Sequence, residues 1–235
     1  MASFLWKITT LLGIIILSIS VVSIILPWYK TESVSRKGRL HSEYRYYLSY
    51  YEIDKTDMTM IDIDGQTPAT STSIITRNYY QNLQLIQHTL QISFYFLVLG
   101  MGFTFVNLIV LIFFGKKTLN KTIAILVINS FSAILFLISS LMTLHITEDF
   151  RNSQDVLPAC KSTYCNSFIG KSFNTYKTFE YTWRPDLGWI IVTVAMGLSF
   201  FQLIPVIIST VLVCKKGNKT KSWKEIIEDA QLSKN

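Results

Sequence analysis

The chain has 235 residues, half of them hydrophobic and 16% charged, with a formal net charge of +7. Positive mean hydropathy at this length is a membrane composition and argues against an ordinary soluble enzyme or a disordered chain. The apolar residues gather in four runs, 8–26, 91–114, 122–146 and 187–213. Each is long enough to cross a hydrocarbon core that takes about 20 helical residues.

Residues 1–7 precede the first run. A signal peptide with a small-residue cleavage site at Val21-Val22-Ser23 or Ser18-Ile19-Ser20 is the alternative to a retained span. The run of 19 residues exceeds the usual h-region of about 7 to 15, which favours retention. Pro27-Trp28-Tyr29 ends the helix: proline stops it, and the aromatic rings suit the membrane interface.

The first connection, 27–90, reads as extended structure. Tyr44 to Ile53 is dense in aromatics, Thr59, Ile61 and Ile63 share one face of an alternating run, and Asp64-Gly65 signals a turn before Ser73 to Thr76. A small antiparallel sheet accounts for these features, its tyrosines either packing it or binding a partner. Asp62-x-Asp64-Gly65 has the start of a calcium loop but not its further ligands or closing glutamate, so no metal or cofactor is expected.

Spans two and three are joined by the seven residues 115–121 (GKKTLNK), a connection so short that the two helices are antiparallel neighbours. Asn107 in span two, Asn129 in span three and Gln202 in span four are expected to make interhelical polar contacts, aided by small residues such as Gly100, Gly102, Ser132, Ser139 and Ser140. No Asp, Glu, Lys or Arg lies in any of the four runs. Pumps and coupled transporters use ionisable groups or broken helices at mid-membrane, so autonomous transport is disfavoured. His145 sits at the end of its span, and His41, His88 and His145 form no catalytic arrangement.

The second connection, 147–186, holds Cys160 and Cys165, whose spacing suits a local disulfide in an oxidising compartment. Phe173, Tyr176, Phe179, Tyr181, Trp183 and Trp189 read as an interfacial aromatic belt. Span four carries Pro205, which removes one helical hydrogen bond. Cys214 at its end, beside Lys215 and Lys216, is a candidate for palmitoylation. In the tail 214–235, Ser222-Trp-Lys-Glu225 has capping-box spacing, and Trp223, Ile226, Ile227 and Ala230 recur on one helical face. This predicts a short amphipathic helix on the inner leaflet, with Lys215, Lys216, Lys219, Lys221 and Lys224 meeting anionic head groups. A docking helix for a cytosolic partner is the alternative.

Charge orients the chain. The first connection carries seven basic and seven acidic residues and the second five of each. The whole net charge therefore falls on the N-terminal segment, the loop with Lys116, Lys117 and Lys121, and the tail. Positive residues in short loops stay cytoplasmic, so both termini are expected there and both long connections on the exoplasmic side. This excess marks the side facing anionic lipid and implies no nucleic acid. The Asn-Lys-Thr sequons at Asn120 and Asn218 then lie where glycosylation does not occur.

The fold expected is therefore all-α and membrane-embedded, a bundle of four transmembrane helices with a small exoplasmic sheet in the first connection and a short tail helix. With Pro27-Trp28 after span one, Gly188-Trp189 entering span four and Cys214 at the membrane edge, this layout resembles the claudin and peripheral-myelin-protein superfamily of tetraspan proteins. The family's Gly-Leu-Trp followed by two cysteines is absent from the first connection. The resemblance implies a non-enzymatic protein, in the plasma membrane, that organises contacts with itself or another membrane protein through its exoplasmic segments, in a homo-oligomer or mixed assembly. An auxiliary subunit of a channel or transporter, as other members of the superfamily are, is the alternative. A membrane-embedded lipid-modifying enzyme ranks third.

Overall fold

A computed structural model describes residues 2–35, 40–60, 69–78, 83–113, 119–152, 167–173 and 176–232. The chain is mostly helical, with four helices long and apolar enough to cross a membrane and one antiparallel sheet among the described residues, the marks of a multi-pass membrane protein. The elements run α1 (Ala2–Ile25), β1 (Tyr29–Ser35), β2 (Leu40–Tyr46), β3 (Tyr50–Met60), β4 (Ala69–Asn78), α2 (Gln84–Phe113), α3 (Leu119–Met142), α4 (Ile146–Asn152), β5 (Gly170–Phe173), β6 (Phe179–Pro185) and α5 (Leu187–Leu232).

Several bounds differ from expectation. α2 begins at Gln84, seven residues before the expected span, because Leu83, Ile86 and Leu90 are buried there and extend the helix's apolar face. A 3-10 turn at Thr143–His145 joins α3 to α4, so the third helical run continues to Asn152. The separate tail helix is replaced by continuation: α5 is unbroken from Leu187 through Pro205 to Leu232. Ser222 therefore lies inside a helix and not at its start. Continuation satisfies the backbone carbonyls that a helix end at the membrane would leave unpaired.

The sheet has six strands in the order β4-β3-β2-β1-β6-β5, every neighbouring pair antiparallel. The first connection thus supplies four strands and the second supplies two. Phe179, Tyr181 and Trp183, expected as membrane anchors, are strand residues, and Trp183 is opposite Thr31 of β1. The turn proposed at Asp64-Gly65 lies outside the described residues.

The chain divides into two compact units. One comprises Ile19–Val98 and Leu135–Ala195 and contains the whole sheet. Its core is aromatic. Trp28, Tyr29 and Tyr46 are fully buried. The ring of Phe150 from α4 lies 5.7 Å from that of Tyr29 and 5.3 Å from that of Tyr46, within the range of favourable ring pairing. The polar tips of Tyr29 and Trp28 find partners, as does that of half-buried Trp189: the Tyr29 hydroxyl donates to the Phe168 carbonyl at 2.9 Å, Trp28 Nε1 to the Ser23 carbonyl at 2.9 Å and Trp189 Nε1 to the Ser140 carbonyl at 3.0 Å. β1 is also tied to the start of α5, where Asp186 N donates to the Trp28 carbonyl and Gly188 N to that of Pro27. Asp186 Oδ1 accepts from Leu187 N at 2.8 Å, closing the helix start as an acidic cap.

The other unit comprises Met1–Ser18, Leu99–Ile134 and Met196–Asn235. Leu111, Ile125 and Val206 form an apolar cluster flanked by Trp6, Val110 and Leu126. Gly13 is buried against Leu108 and Gln202.

Candidate interaction surface

Alternation along the strands separates the faces of the sheet. Tyr29, Thr31, Tyr46, Tyr51, Ile53 and Trp183 are buried, so the residues between them point outward. Cross-strand registry aligns these outward residues in rows. One row runs Arg184, Lys30, Arg45, Glu52, and the next Thr182, Glu32, Glu43, Asp54, Ile74. Three carboxylates thus stand side by side on neighbouring strands, an arrangement that repels unless cations answer it.

Two of the three are answered. Glu43 Oε1 accepts from Arg45 Nε at 2.9 Å and lies 3.4 Å from Lys30 Nζ. Glu32 Oε1 is 2.8 Å from His41 Nε2, and its other oxygen accepts from the Thr182 hydroxyl at 3.4 Å. Burial raises the Glu43 carboxyl, but the Arg45 hydrogen bond and the nearby Lys30 and Arg45 charges outweigh it and hold the group below the usual carboxylate range. Asp54 Oδ1 has no hydrogen-bonding partner among the described residues. At the far side Lys171 Nζ is 2.6 Å from Glu180. The β2–β3 turn is stiffened by the stacked rings of Tyr47 and Tyr50, 4.4 Å apart. Burial, with a hydrogen bond to Glu52, pushes the Tyr47 hydroxyl up to about 12.

The predicted polar contacts of the spans have definite places. Asn107 Nδ2 donates to Asn129 Oδ1 at 2.7 Å, and both residues are buried. Gln202 Nε2 donates to the Thr9 carbonyl at 2.8 Å. Ser132 lies 2.7 Å from Thr104 and donates to the Gly100 carbonyl, while Ser139 donates to the Ser93 carbonyl. These side chains are turned into the chain itself. A cavity of about 10 Å³ lined in part by Trp6, Thr9, Thr122 and Ser209 holds at most one water.

The remaining candidates are scattered. Cys214 is half-buried and unbonded, and Lys215 is exposed. Lys216, Lys219, Lys221 and Lys224 continue along α5, their side chains outside the described set. Cys160, Cys165, Lys116 and Lys117 lie outside the described residues. His145 Nδ1 is 3.7 Å from Glu148, and His41 belongs to the sheet. Sequence reasoning missed β1, β6 and the carboxylate row. The available signal was charge at every second residue: Lys30 and Glu32, Glu43 and Arg45, Glu52 and Asp54.

Together these features define a multi-pass membrane protein carrying a six-stranded sheet with a charged, ion-paired outer face. No protein-family model matches the chain, and comparison with curated proteins gives no match.

Proposed function

We propose that this chain is a non-enzymatic tetraspan protein that organises membrane contacts through its sheet, paired with a second copy or with another membrane protein. In this reading the four spans pack as a bundle, both termini are cytoplasmic, and the sheet and the Cys160–Cys165 disulfide are exoplasmic at the plasma membrane. The tail lysines meet anionic lipid, and Cys214 is the acylation site. A single contrast carries the reading: the buried amides and hydroxyls of the spans bond within the chain, with Asn107 Oδ1 and Asn129 Nδ2 left over among the described residues, whereas the sheet carries both signs of charge on a face backed by buried aromatic rings. Complementary charge on a preordered surface gives specificity and speeds association.

Crosslinking in intact native membranes, followed by purification in mild detergent and mass spectrometry, tests the reading. Links from Lys30, Lys55 or Lys171 to a second copy or to one recurring membrane protein are expected. A chain that stays monomeric and partnerless overturns it.

The auxiliary-subunit reading has one observation of its own. Gly102 of α2 and Gly197 of α5 are exposed, and a Cβ added at either meets nothing within 4 Å. Exposed small residues let a foreign helix approach closely. Asn107, Asn129 and Gln202 are buried and each makes a bond within the chain. Gly102→Leu or Gly197→Leu would then release a co-purifying polytopic partner, and retention of the partner by both variants would sink this alternative.

A further inference from the structure

The sheet ends on two unlike edges. β5 is four residues long, whereas β4 on the opposite edge runs ten, Ala69–Asn78. An edge strand presents a row of unpaired N–H and C=O groups, and proteins blunt such edges with short strands, lysine, proline or inward charges. β4 has few of these devices: its sequence ATSTSIITRN carries no proline, lysine or acid, its single charge, Arg77, lies opposite Tyr51 on the inner face near the strand's end, and its pairing with β3 shifts register once, between Asp57 and Met60. On its outer face Ile74 is 68% exposed, and no strand among the described residues pairs with its free side.

We propose that β4 pairs antiparallel with β4 of a second copy, joining two six-stranded sheets across a twofold axis that passes midway between the two Ile74 residues. The inference rests on the contact-organising reading and names the partner and the seam. A strand that pairs with itself must be self-complementary, and the register can be worked out. Residues opposite one another point to the same side of a sheet, so the axis falls level with one residue of each strand rather than between successive residues. Centring on Ile74 sets the exposed isoleucine against its own counterpart. Thr76 then falls opposite position 72, Ser73 opposite position 75, and Arg77 opposite position 71. No like charges face each other. The two Arg77 residues lie six positions apart along the seam, about 20 Å at 3.4 Å per residue, well beyond the screening length of about 8 Å. The contact is isologous and closes as a dimer, as most symmetric assemblies do.

The test replaces Ile74 by cysteine in a Cys214→Ser background that keeps Cys160 and Cys165, in intact membranes, with copper phenanthroline and oxygen as oxidant and the Cys214→Ser chain as the blank. Two thiols lose two protons and two electrons to oxygen and form one disulfide, read as a reducible band of twice the monomer mass. The expected yield for Ile74→Cys is at least tenfold that of Val34→Cys on the interior strand β1. Thr76→Cys alone stays at background but crosslinks to co-expressed Thr72→Cys. A yield for Ile74→Cys no higher than for Val34→Cys overturns the proposal. If a lysine-reactive crosslinker still joins copies through their sheets, the contact-organising reading survives that result. If neither reagent links anything, both fall. A disulfide from position 74 to a different protein overturns the second copy as partner.

Discussion

Gly188 offers the sharpest test of how the sheet unit is built. A Cβ added there would lie 2.5 Å from Cδ1 of Trp28 and 2.9 Å from the carbonyl oxygens of Leu26 and Pro27. Neither neighbour can give way easily. Trp28 is fully buried, with its indole N–H bonded to Ser23 and its backbone N–H bonded to Tyr46, and the other two contacts are main chain. Gly188→Ala must therefore push β1 and the start of α5 apart. Overpacking of this kind costs about 1 to 3 kcal/mol. The separation also weakens the bonds from Gly188 N to Pro27 at 2.8 Å and from Asp186 N to Trp28 at 3.0 Å, each worth about 0.5 to 1.5 kcal/mol net. Against this, replacing a helical glycine by alanine gains about 0.5 to 1 kcal/mol. The net expectation is a loss of about 1 to 5 kcal/mol. Unfolding followed by tryptophan fluorescence in mixed micelles measures it, with Gly197→Ala as control, because open space surrounds that glycine. The control is expected to match or slightly exceed the parent in stability. Equal stability of Gly188→Ala and Gly197→Ala would refute the tight junction.

Three further predictions concern the buried amides, the sheet face and the orientation. Asn107→Leu and Asn129→Leu each strand the other amide in apolar surroundings, so the double variant should be less destabilised than the sum of the singles, with a coupling of about 0.6 to 2 kcal/mol in a double-mutant unfolding cycle; simple additivity would contradict the pairing. The Glu43 carboxyl titrates below its usual range in the folded chain, while an unfolded glutamate titrates near about 4.3. The folded state thus binds fewer protons than the unfolded one in that window, so the contribution is full above the unfolded value and disappears as pH falls through the folded one. Thermal midpoints measured from neutral pH to about 3 should therefore fall more steeply for the parent than for Glu43→Gln, and parallel curves would reject the role given to Arg45 and Lys30. Finally, Ala69→Asn creates the sequon Asn-Thr-Ser on the sheet and should acquire a glycan, while Asn120 and Asn218 stay unmodified. A glycan on Asn120 or Asn218 would invert the orientation.

The elements differed in how openly the sequence displayed them. The four spans were legible because each is a contiguous apolar run, and hydropathy over about 20 residues is a local property. β2 and β3 were visible in the aromatic stretch Tyr44 to Ile53, although Leu48 and Ser49 turn the chain inside it. β6 was hidden, because Phe179 to Trp183 is aromatic enough to pass for an interfacial belt. Only pairing with β1, about 150 positions earlier in the chain, distinguishes strand from anchor. The tail misled for a related reason. Capping-box spacing at Ser222 is a start signal only where a helix is not already running, and α5 arrives there without a break.

By itself the sequence determined which segments are long and apolar enough to cross a membrane, that their polar residues would be few and amide- or hydroxyl-bearing, and that the excess positive charge gathers in the short segments. Each of these follows from a few to about 20 neighbouring residues and their transfer free energy. Only the tertiary structure decided that both long connections build one sheet, that Glu32, Glu43 and Asp54 stand in a row, that Asn107 meets Asn129, and that β4 is left as the long edge. Those facts depend on strand order and helix facing. Both are set by contacts between residues far apart in the chain, which no local periodicity records.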